Sequence, residues 1–101
     1  MGDGVFSSCT SLTEVIIPDG VTKISNSAFS SCSSLENVVF GSNVTHIGNH
    51  AFSGCRGLIN TTIPNTITYI GDYAFYNCSN LTGITIPDSV TYIGTSAFYA
   101  C

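Results

Sequence analysis

The feature that most constrains this chain is a repeat: phenylalanine and cysteine each recur every 23 residues along its 101-residue length. A fixed short period is typical of a solenoid, in which similar units stack and each contacts only its neighbours. The spacing therefore predicts a stack of coils rather than a closed globule. The repeated residues are Phe6, Phe29, Phe52, Phe75 and Phe98, and Cys9, Cys32, Cys55, Cys78 and Cys101.

The repeat divides the chain into four full units, residues 9–31, 32–54, 55–77 and 78–100, which we call coils 1 to 4. Residues 4–8 match the end of an earlier unit, and Cys101 matches the start of a later one. The chain length suits one domain, so 1–101 is predicted to be a single solenoid domain. Because no polar capping segment is visible at either end, we expect a fragment of a longer repeat protein.

Each unit begins with an apolar pattern that ends in strict alternation, as in Leu12, Val15 and Ile17. This pattern is typical of a strand with one buried face. Proline follows it in three units, and a proline cannot donate to a sheet ladder. We therefore predict one short strand per unit, with parallel pairing about 4.8 Å apart. The equivalent positions hold Leu35, Val38, Phe40, Leu58, Ile63, Leu81, Ile84 and Ile86, with Thr61 as the one polar residue in these columns.

A second short strand and a turn complete the unit. Pairs such as Val21 and Ile24 predict the strand, and Gly48, Gly71 and Gly94 end it in the later units. Glycine at this place suggests a turn with positive φ. The Ala-Phe segment that follows is too short for an independent helix, so we predict one helical or 3₁₀ turn.

The composition excludes two classes of partner. Only 8% of the residues are charged, the net charge is −4, and Lys23 and Arg56 are the only lysine and arginine. A nucleic-acid-binding protein needs a basic patch to neutralise phosphates, so we expect no nucleic acid. No stretch approaches the roughly 20 apolar residues of a membrane-spanning helix, so we expect no membrane insertion. A targeting signal is also absent from the sequence.

The residue patterns of catalysis and metal binding are missing as well. The chain has no G-x-S-x-G nucleophile motif, and its six acidic residues are scattered one or two per unit. Cysteine pairs with the spacing of zinc ligands are absent. We therefore predict no enzymatic activity, no cofactor and no metal.

The residues from Leu81 to Cys101 read L-T-x-I-T-I-P-D-S-V-T-Y-I-G-x-x-A-F-x-x-C, which resembles the BspA-like (Treponema-type) leucine-rich repeats. The resemblance extends over residues 4–101. It implies a right-handed, mostly β leucine-rich-repeat solenoid with a horseshoe-like or nearly straight shape. It also implies an extracellular or cell-surface parent protein associated with adhesion to host matrix proteins and cells. The family offers no catalytic residues to transfer.

The five cysteines are predicted to form a column of thiols. Stacking places successive Cα atoms about 5 Å apart, within the range of a disulfide, but in-register side chains point parallel. We favour reduced, buried thiols acting as small apolar side chains, with disulfides or a metal as alternatives. His46 and His50 stand four residues apart, yet the first belongs to a predicted strand and the second to the turn. We expect them to be separate surface residues.

Two exposed surfaces are candidate binding sites. The outward positions of the first strand form one of them, and an aromatic patch that begins on the second strand forms the other. Tyrosine is common in binding hot spots, although it also occupies exposed strand positions without a function. The first site comprises Glu14, Ile16, Asn37, Val39, Asn60, Thr62 and Thr85, with Gly83 in the same row. The second comprises Lys23, His46, Tyr69, Tyr73, Tyr76, Tyr92 and Tyr99.

These features lead to three functional hypotheses. The first is a non-enzymatic protein-interaction or adhesion module whose partner is a protein, such as a host matrix or cell-surface protein. The second is a structural spacer in a surface stalk, which binds nothing through its faces. The third is carbohydrate binding through the tyrosine patch. The uncapped ends also predict end-to-end self-association.

Overall fold

A computed structural model describes residues 2–82 and 84–101, and only the backbone of Asn60. The described residues form two parallel sheets. The first sheet contains β1 (Glu14–Ile16), β3 (Asn37–Val39) and β5 (Asn60–Thr61), in that order. The second contains β2 (Lys23–Ile24), β4 (His46–Ile47), β6 (Tyr69–Ile70) and β7 (Tyr92–Ile93). None of the described residues belongs to a helix long and apolar enough to cross a membrane.

The predicted stack is confirmed by the strand register. Glu14 pairs with Asn37, which is 23 residues further along the chain, and Lys23 pairs with His46 at the same interval. The phenylalanine rings form one continuous pile, with neighbouring centroids 5.3 to 5.4 Å apart and interplanar angles of 5 to 11°. Equivalent residues of successive coils therefore lie above one another, as the period requires.

One apolar core runs along the stack and is built from repeated positions. Phe52, Leu58 and Ile47 are completely buried in the middle coils. The inward columns of the first strand behave as predicted, with Ile17, Val38 and Ile63 buried. Because a single coil could not cover these side chains, the stacking itself supplies most of their burial.

The first strand predicted for coil 4 includes Gly83, which lies outside the described residues. Residues 84–87, including Ile84 and Ile86, are assigned to no strand.

The predicted helical or 3₁₀ turn is wrong. The described Ala-Phe segments are successive turns in which every second N–H leaves the coil. The Ala28 N–H donates to Ser25 O within its own coil at 3.2 Å, and the Phe29 N–H donates to Ala51 O of the next coil at 2.8 Å. A helix needs consecutive local hydrogen bonds, so this alternation excludes one. Positive φ values also interrupt the segment, at Gly4, Ser8, Ser27, Ser31, His50, Gly54, Tyr73, Asn77, Ser96 and Ala100.

The positive φ predicted for the strand-ending glycines is wrong too. Gly48, Gly71 and Gly94 do not have left-handed φ values. Glycine is needed at these positions because atoms of the preceding coil occupy the space that a Cβ would fill. A Cβ on Gly71 would lie 2.7 Å from the backbone nitrogen of Asn49, which is too close for any real contact. Ser25 is tolerated in coil 1, where its hydroxyl donates to Gly2 O at 2.7 Å.

Side-chain ladders that the sequence reading missed also join the coils. Asn26 Oδ1 accepts the Asn49 N–H, and Asn49 Oδ1 accepts the Asp72 N–H, both at 2.9 Å. Asp72 Oδ1 then accepts the Thr95 N–H at 2.9 Å. The sequence signal for the first ladder was a column of short polar residues directly after the position that ends the second strand. A threonine ladder runs beside it, in which each Oγ1 donates to the preceding threonine carbonyl at 3.1 to 3.3 Å.

Candidate interaction surfaces

The outer face of the first sheet, which we call the first-sheet face, carries the predicted row of outward side chains. Ile16 is 68% exposed and Val39 is 46% exposed, although both belong to strands. Asn37 Nδ2 donates to Glu14 Oε2 at 3.1 Å, which links the first two coils on this face. The alternation of the strand thus places polar and apolar side chains outward together, as the sequence predicted.

The structure adds Ile59 to this face. Ile59 is 49% exposed and lines an open depression of about 520 Å³ together with Asn37, Val39 and Thr62. It stands just before β5 and lies outside the alternating strand positions, so the strand pattern did not select it. Its column in the sequence, Thr13, Glu36, Ile59 and Thr82, contained the signal as one apolar residue among polar ones.

Two carboxylates belong to the segments that carry this face. Glu14 is exposed on β1, and Glu36 is exposed one coil before Ile59 at the same register position. Lys23 lies on the second sheet, and Arg56 lines a depression in the turn region beside Ser33 and Tyr76. The first-sheet face therefore combines three exposed aliphatic side chains with two carboxylates.

Thr62 and Thr85, two predicted site residues of the later coils, lie outside the described strands. Both are exposed, and Thr62 directly follows the end of β5. Both line an open depression with Asn65 and Pro87. The Asn60 side chain and Gly83 lie outside the part of the chain that the structure describes. The apolar character of the face consequently lies in coils 1 to 3.

The second predicted surface separates into two groups of rings. His46, Tyr69 and Tyr92 stack in the register of β4, β6 and β7, with centroids 5.4 and 4.7 Å apart. Lys23 continues this row at the β2 position and lines a depression of about 530 Å³ with His46 and Tyr69. The second group pairs Tyr73 with His50, Tyr73 with Tyr76, and Tyr76 with Tyr99.

Stacking changes what the aromatic rings can offer a ligand. In the row of His46, Tyr69 and Tyr92, neighbouring rings stack at 5.4 and 4.7 Å, so the ring faces between them are covered. A sugar ring stacks on an open aromatic face, and Tyr69, which lies between His46 and Tyr92, has none. This geometry offers little support for carbohydrate stacking on the patch.

Tyr92 has a charged neighbour. The Asp72 carboxylate lies beside the Tyr92 hydroxyl and raises the pKa of the phenol, with smaller contributions from desolvation and from Tyr69. Tyr92 is 47% exposed. An accessible phenol thus stands next to a carboxylate that favours its neutral form.

The cysteine column consists of free thiols, as favoured by the sequence. The Cys55 Sγ donates to Phe29 O at 3.1 Å, and the Cys78 Sγ donates to Phe52 O at 3.1 Å. Burial raises the pKa of Cys55 to about 12 and raises the pKa of Cys78 further. The inner thiols are therefore weak hydrogen-bond donors as well as apolar side chains, while Cys101 is exposed.

The two histidines do not converge on a site. His46 Nδ1 lies 2.8 Å from Thr45 Oγ1, and His50 stacks on Tyr73 at 5.0 Å. Among the described residues, no group of three or more histidine, cysteine or acidic side chains could hold a metal ion.

Comparison with known proteins identifies the class. The family model of the BspA type leucine-rich repeat region, in six copies, matches residues 1–101, and the chain belongs to this family. No curated protein sequence matches the chain.

Solved structures of bacterial leucine-rich repeat proteins have the same fold. A Bacteroides ovatus protein is 34% identical with a TM-score of 0.92 over 97% of this chain. The T. pallidum leucine rich repeat protein is 32% identical with a TM-score of 0.97 over the whole chain. A Eubacterium ventriosum protein is 28% identical with a TM-score of 0.64 over 98% of this chain. The chain spans 25%, 47% and 33% of their respective lengths.

The family and the fold define a leucine-rich repeat domain of the kind found in bacterial surface-type repeat proteins. Domains of this family generally mediate protein–protein interactions and are generally non-enzymatic. BspA-type proteins are typically secreted by bacteria or exposed on their surface.

Proposed function

We propose that this domain is a non-enzymatic protein-interaction module that binds an extended protein segment on its first-sheet face. The observation that carries the proposal is the exposure of Ile16, Val39 and Ile59 in consecutive coils. Soluble proteins rarely leave apolar side chains grouped on an open surface without a partner. The flat outer side of a parallel sheet also offers contacts at a regular spacing along the stack.

The partner segment carries both apolar and basic side chains. Glu14 and Glu36 flank the aliphatic residues, while Lys23 and Arg56 lie elsewhere on the molecule. Charge complementarity guides association and disfavours partners of the same sign. Burial of Ile16, Val39 and Ile59 against the partner supplies most of the binding free energy, because a solvent-exposed charge pair at the rim contributes little.

We test this proposal with labelled peptides of alternating residues, measured by fluorescence anisotropy. A valine–lysine peptide is expected to bind, whereas valine–glutamate and serine–lysine peptides, which lack the charge or the apolar contact, bind at least tenfold more weakly. Val39→Ser and Glu36→Lys each weaken binding of the valine–lysine peptide. Ser79→Lys is the matched control, because coil 3 carries Arg56 at that register position and Ser79 is exposed away from the face.

The sheet-face site is wrong if the valine–lysine peptide binds the Val39→Lys/Thr62→Arg double variant as tightly as the parent chain. Circular dichroism of that variant should match the parent, since both residues are exposed. If binding responds to Val39→Ser but ignores Glu36→Lys, the interaction face stands and the basic character of the partner is refuted.

The spacer hypothesis makes the opposite prediction for the same peptides. A structural spacer would bind none of them, because only the ends of a coil stack would contact neighbouring repeats. The three exposed aliphatic residues favour the interaction module, since a spacer gains nothing from an apolar outer face.

We also propose that the parent protein is extracellular or on the cell surface and acts in adhesion, with these coils forming part of a longer repeat array. Fractionation of cells producing the parent protein, with protease added outside, would test its location. For the 101-residue polypeptide alone, the exposed Val5, Phe6 and Ile93 favour self-association, which sedimentation over a concentration series would detect.

A further inference from the structure

Tyr69 and Tyr92 form the tightest ring pair of the described residues. They occupy the same position of β6 and β7, their centroids lie 4.7 Å apart, and their planes differ by 7°. The pile of phenylalanines is wider, at 5.3 to 5.4 Å, and Tyr76 and Tyr99 are wider still at 5.6 Å. Backbone pairing of the two strands holds the phenols of coils 3 and 4 in register.

This geometry suits the coupling of two phenoxyl radicals. A phenol that loses one electron and one proton carries much of its unpaired spin on the ring carbons next to the hydroxyl-bearing carbon. Because Tyr69 and Tyr92 are partners in paired parallel strands and their rings stack, equivalent ring carbons lie on the same side of the pair. Phenylalanine has no hydroxyl to oxidise, so among the stacked columns only the tyrosines offer this chemistry.

We propose that Tyr69 and Tyr92 form an intramolecular dityrosine cross-link when a one-electron oxidant, such as a peroxidase supplied with hydrogen peroxide, acts on the protein. Each phenol gives up one electron and one proton. The radicals join through a new carbon–carbon bond between ortho positions, and each displaced ring hydrogen moves to its own oxygen, which restores both phenols. The two electrons and two protons reduce hydrogen peroxide to two water molecules.

The surroundings of Tyr92 favour its oxidation. The ring is 47% exposed, so an oxidant in solution can reach it. The Asp72 carboxylate lies beside its hydroxyl and is positioned to take the proton as the electron leaves. Asp72 is fixed there because its Oδ1 accepts the Thr95 N–H at 2.9 Å.

The cross-link would tie two successive coils covalently, which the cysteine column does not do. The thiols of Cys55 and Cys78 donate to the carbonyl groups of Phe29 and Phe52, each 26 residues earlier in the chain, instead of pairing with each other. A bond between Tyr69 and Tyr92 closes a loop of one repeat and restricts the unfolded chain, as a disulfide of the same span would.

The test is oxidation of the dilute 101-residue chain with peroxidase and hydrogen peroxide. We expect dityrosine fluorescence in the monomer band, a mass loss of two hydrogen atoms, and a cross-linked pair of peptides containing Tyr69 and Tyr92. The oxidised monomer should unfold at a higher temperature. Tyr92→Phe and Tyr69→Phe each abolish the signal while keeping the stacked ring, and Tyr99→Phe retains it as the matched control.

Asp72→Asn keeps the oxygen that accepts the Thr95 N–H but removes the charge, and we expect it to slow cross-linking several-fold. The proposal is overturned if the monomeric cross-link persists in Tyr92→Phe, or if mass spectrometry places it between Tyr76 and Tyr99. It is equally overturned if dityrosine forms only between molecules, as dimers whose yield rises with protein concentration.

Discussion

Single residues in this protein are selected by the coil on either side of them. Gly71 is required because a Cβ would meet Asn49 of the preceding coil, and Ser25 is accepted in coil 1, where its hydroxyl donates to Gly2 O. Thr61 shows the reverse situation, because its Oγ1 is buried without a hydrogen-bond partner among the described residues. At the scale of the residue, the sequence shows which positions repeat. The contacts between stacked coils explain why each repeated position needs its residue type.

Thr61→Val is expected to raise the free energy of unfolding by about 1 kcal/mol. The change keeps the shape of the side chain and removes a buried hydroxyl that gains no hydrogen bond. Thr68→Val is the control and should lower stability, because the Thr68 hydroxyl donates to Thr45 O at 3.3 Å. Urea unfolding of both variants measures the difference, and a loss of stability in Thr61→Val would contradict this account.

Gly71→Ala is expected to lower the free energy of unfolding by about 1–3 kcal/mol through overpacking between coils. Gly20→Ala provides the comparison, since a Cβ there meets nothing within 4 Å. That variant should be neutral or slightly stabilising, because alanine reduces the freedom of the unfolded chain. Equal losses in the two variants, measured by thermal unfolding, would show that close approach between coils is not the cause.

At the scale of the element, hydrogen bonds between coils replace those within an element. The Ala-Phe segment would be a helical turn by length and composition, yet every second N–H of this segment bonds to the next coil. The two-residue strands of the second sheet are similarly too short to persist alone. Each element therefore depends on the stacking of the coils. The phenylalanine column makes the largest apolar contribution to that stacking.

Phe52→Ala is expected to lower the free energy of unfolding by about 3–5 kcal/mol, because it leaves a cavity in the middle of the ring column. Phe52 is fully buried, whereas Phe6 is 43% exposed. Phe6→Ala should therefore cost much less. Denaturant titration of both variants checks the contrast, and similar losses would argue against a linear stack.

Stability is expected to fall as pH rises above 9. Burial raises the folded-state pKa of Cys55 from 9.0 to about 12, so the unfolded chain releases its proton first. Between these values each such thiol lowers the unfolding free energy by about 1.4 kcal/mol per pH unit. Cys55→Ala should reduce this slope relative to the parent chain. Equal slopes in urea titrations from pH 9 to 10.5 would refute the assignment.

At the scale of the whole molecule, the protein behaves as a one-dimensional array. Each strand pairing of the described residues joins equivalent positions of two successive coils. Its stability is then a sum over coils and their interfaces. The first-sheet face has the same regularity, since Ile16, Val39 and Ile59 come from three consecutive coils.

Deletion of residues 55–77 is expected to leave a folded, shorter stack. The deletion joins equivalent points of the repeat, and three full coils remain, roughly the minimum for a stable array. We expect the same shape of circular dichroism spectrum, a lower thermal midpoint and a single cooperative transition. An unfolded product would indicate contacts that bypass the nearest neighbour. Since the deletion also removes Ile59, peptide binding should weaken in parallel.

The 23-residue period by itself determined the stacking, the register and the inward columns, because a strict repeat of apolar side chains can be buried only by equivalent neighbours. It also placed Glu14, Ile16, Asn37 and Val39 outward, since alternation along a strand leaves no other choice. The tertiary structure decided what lies between the coils: the direction of each turn hydrogen bond, the space beside Gly71, and the pairing of the aromatic rings. These depend on distances between residues 23 apart, which a sequence pattern does not contain.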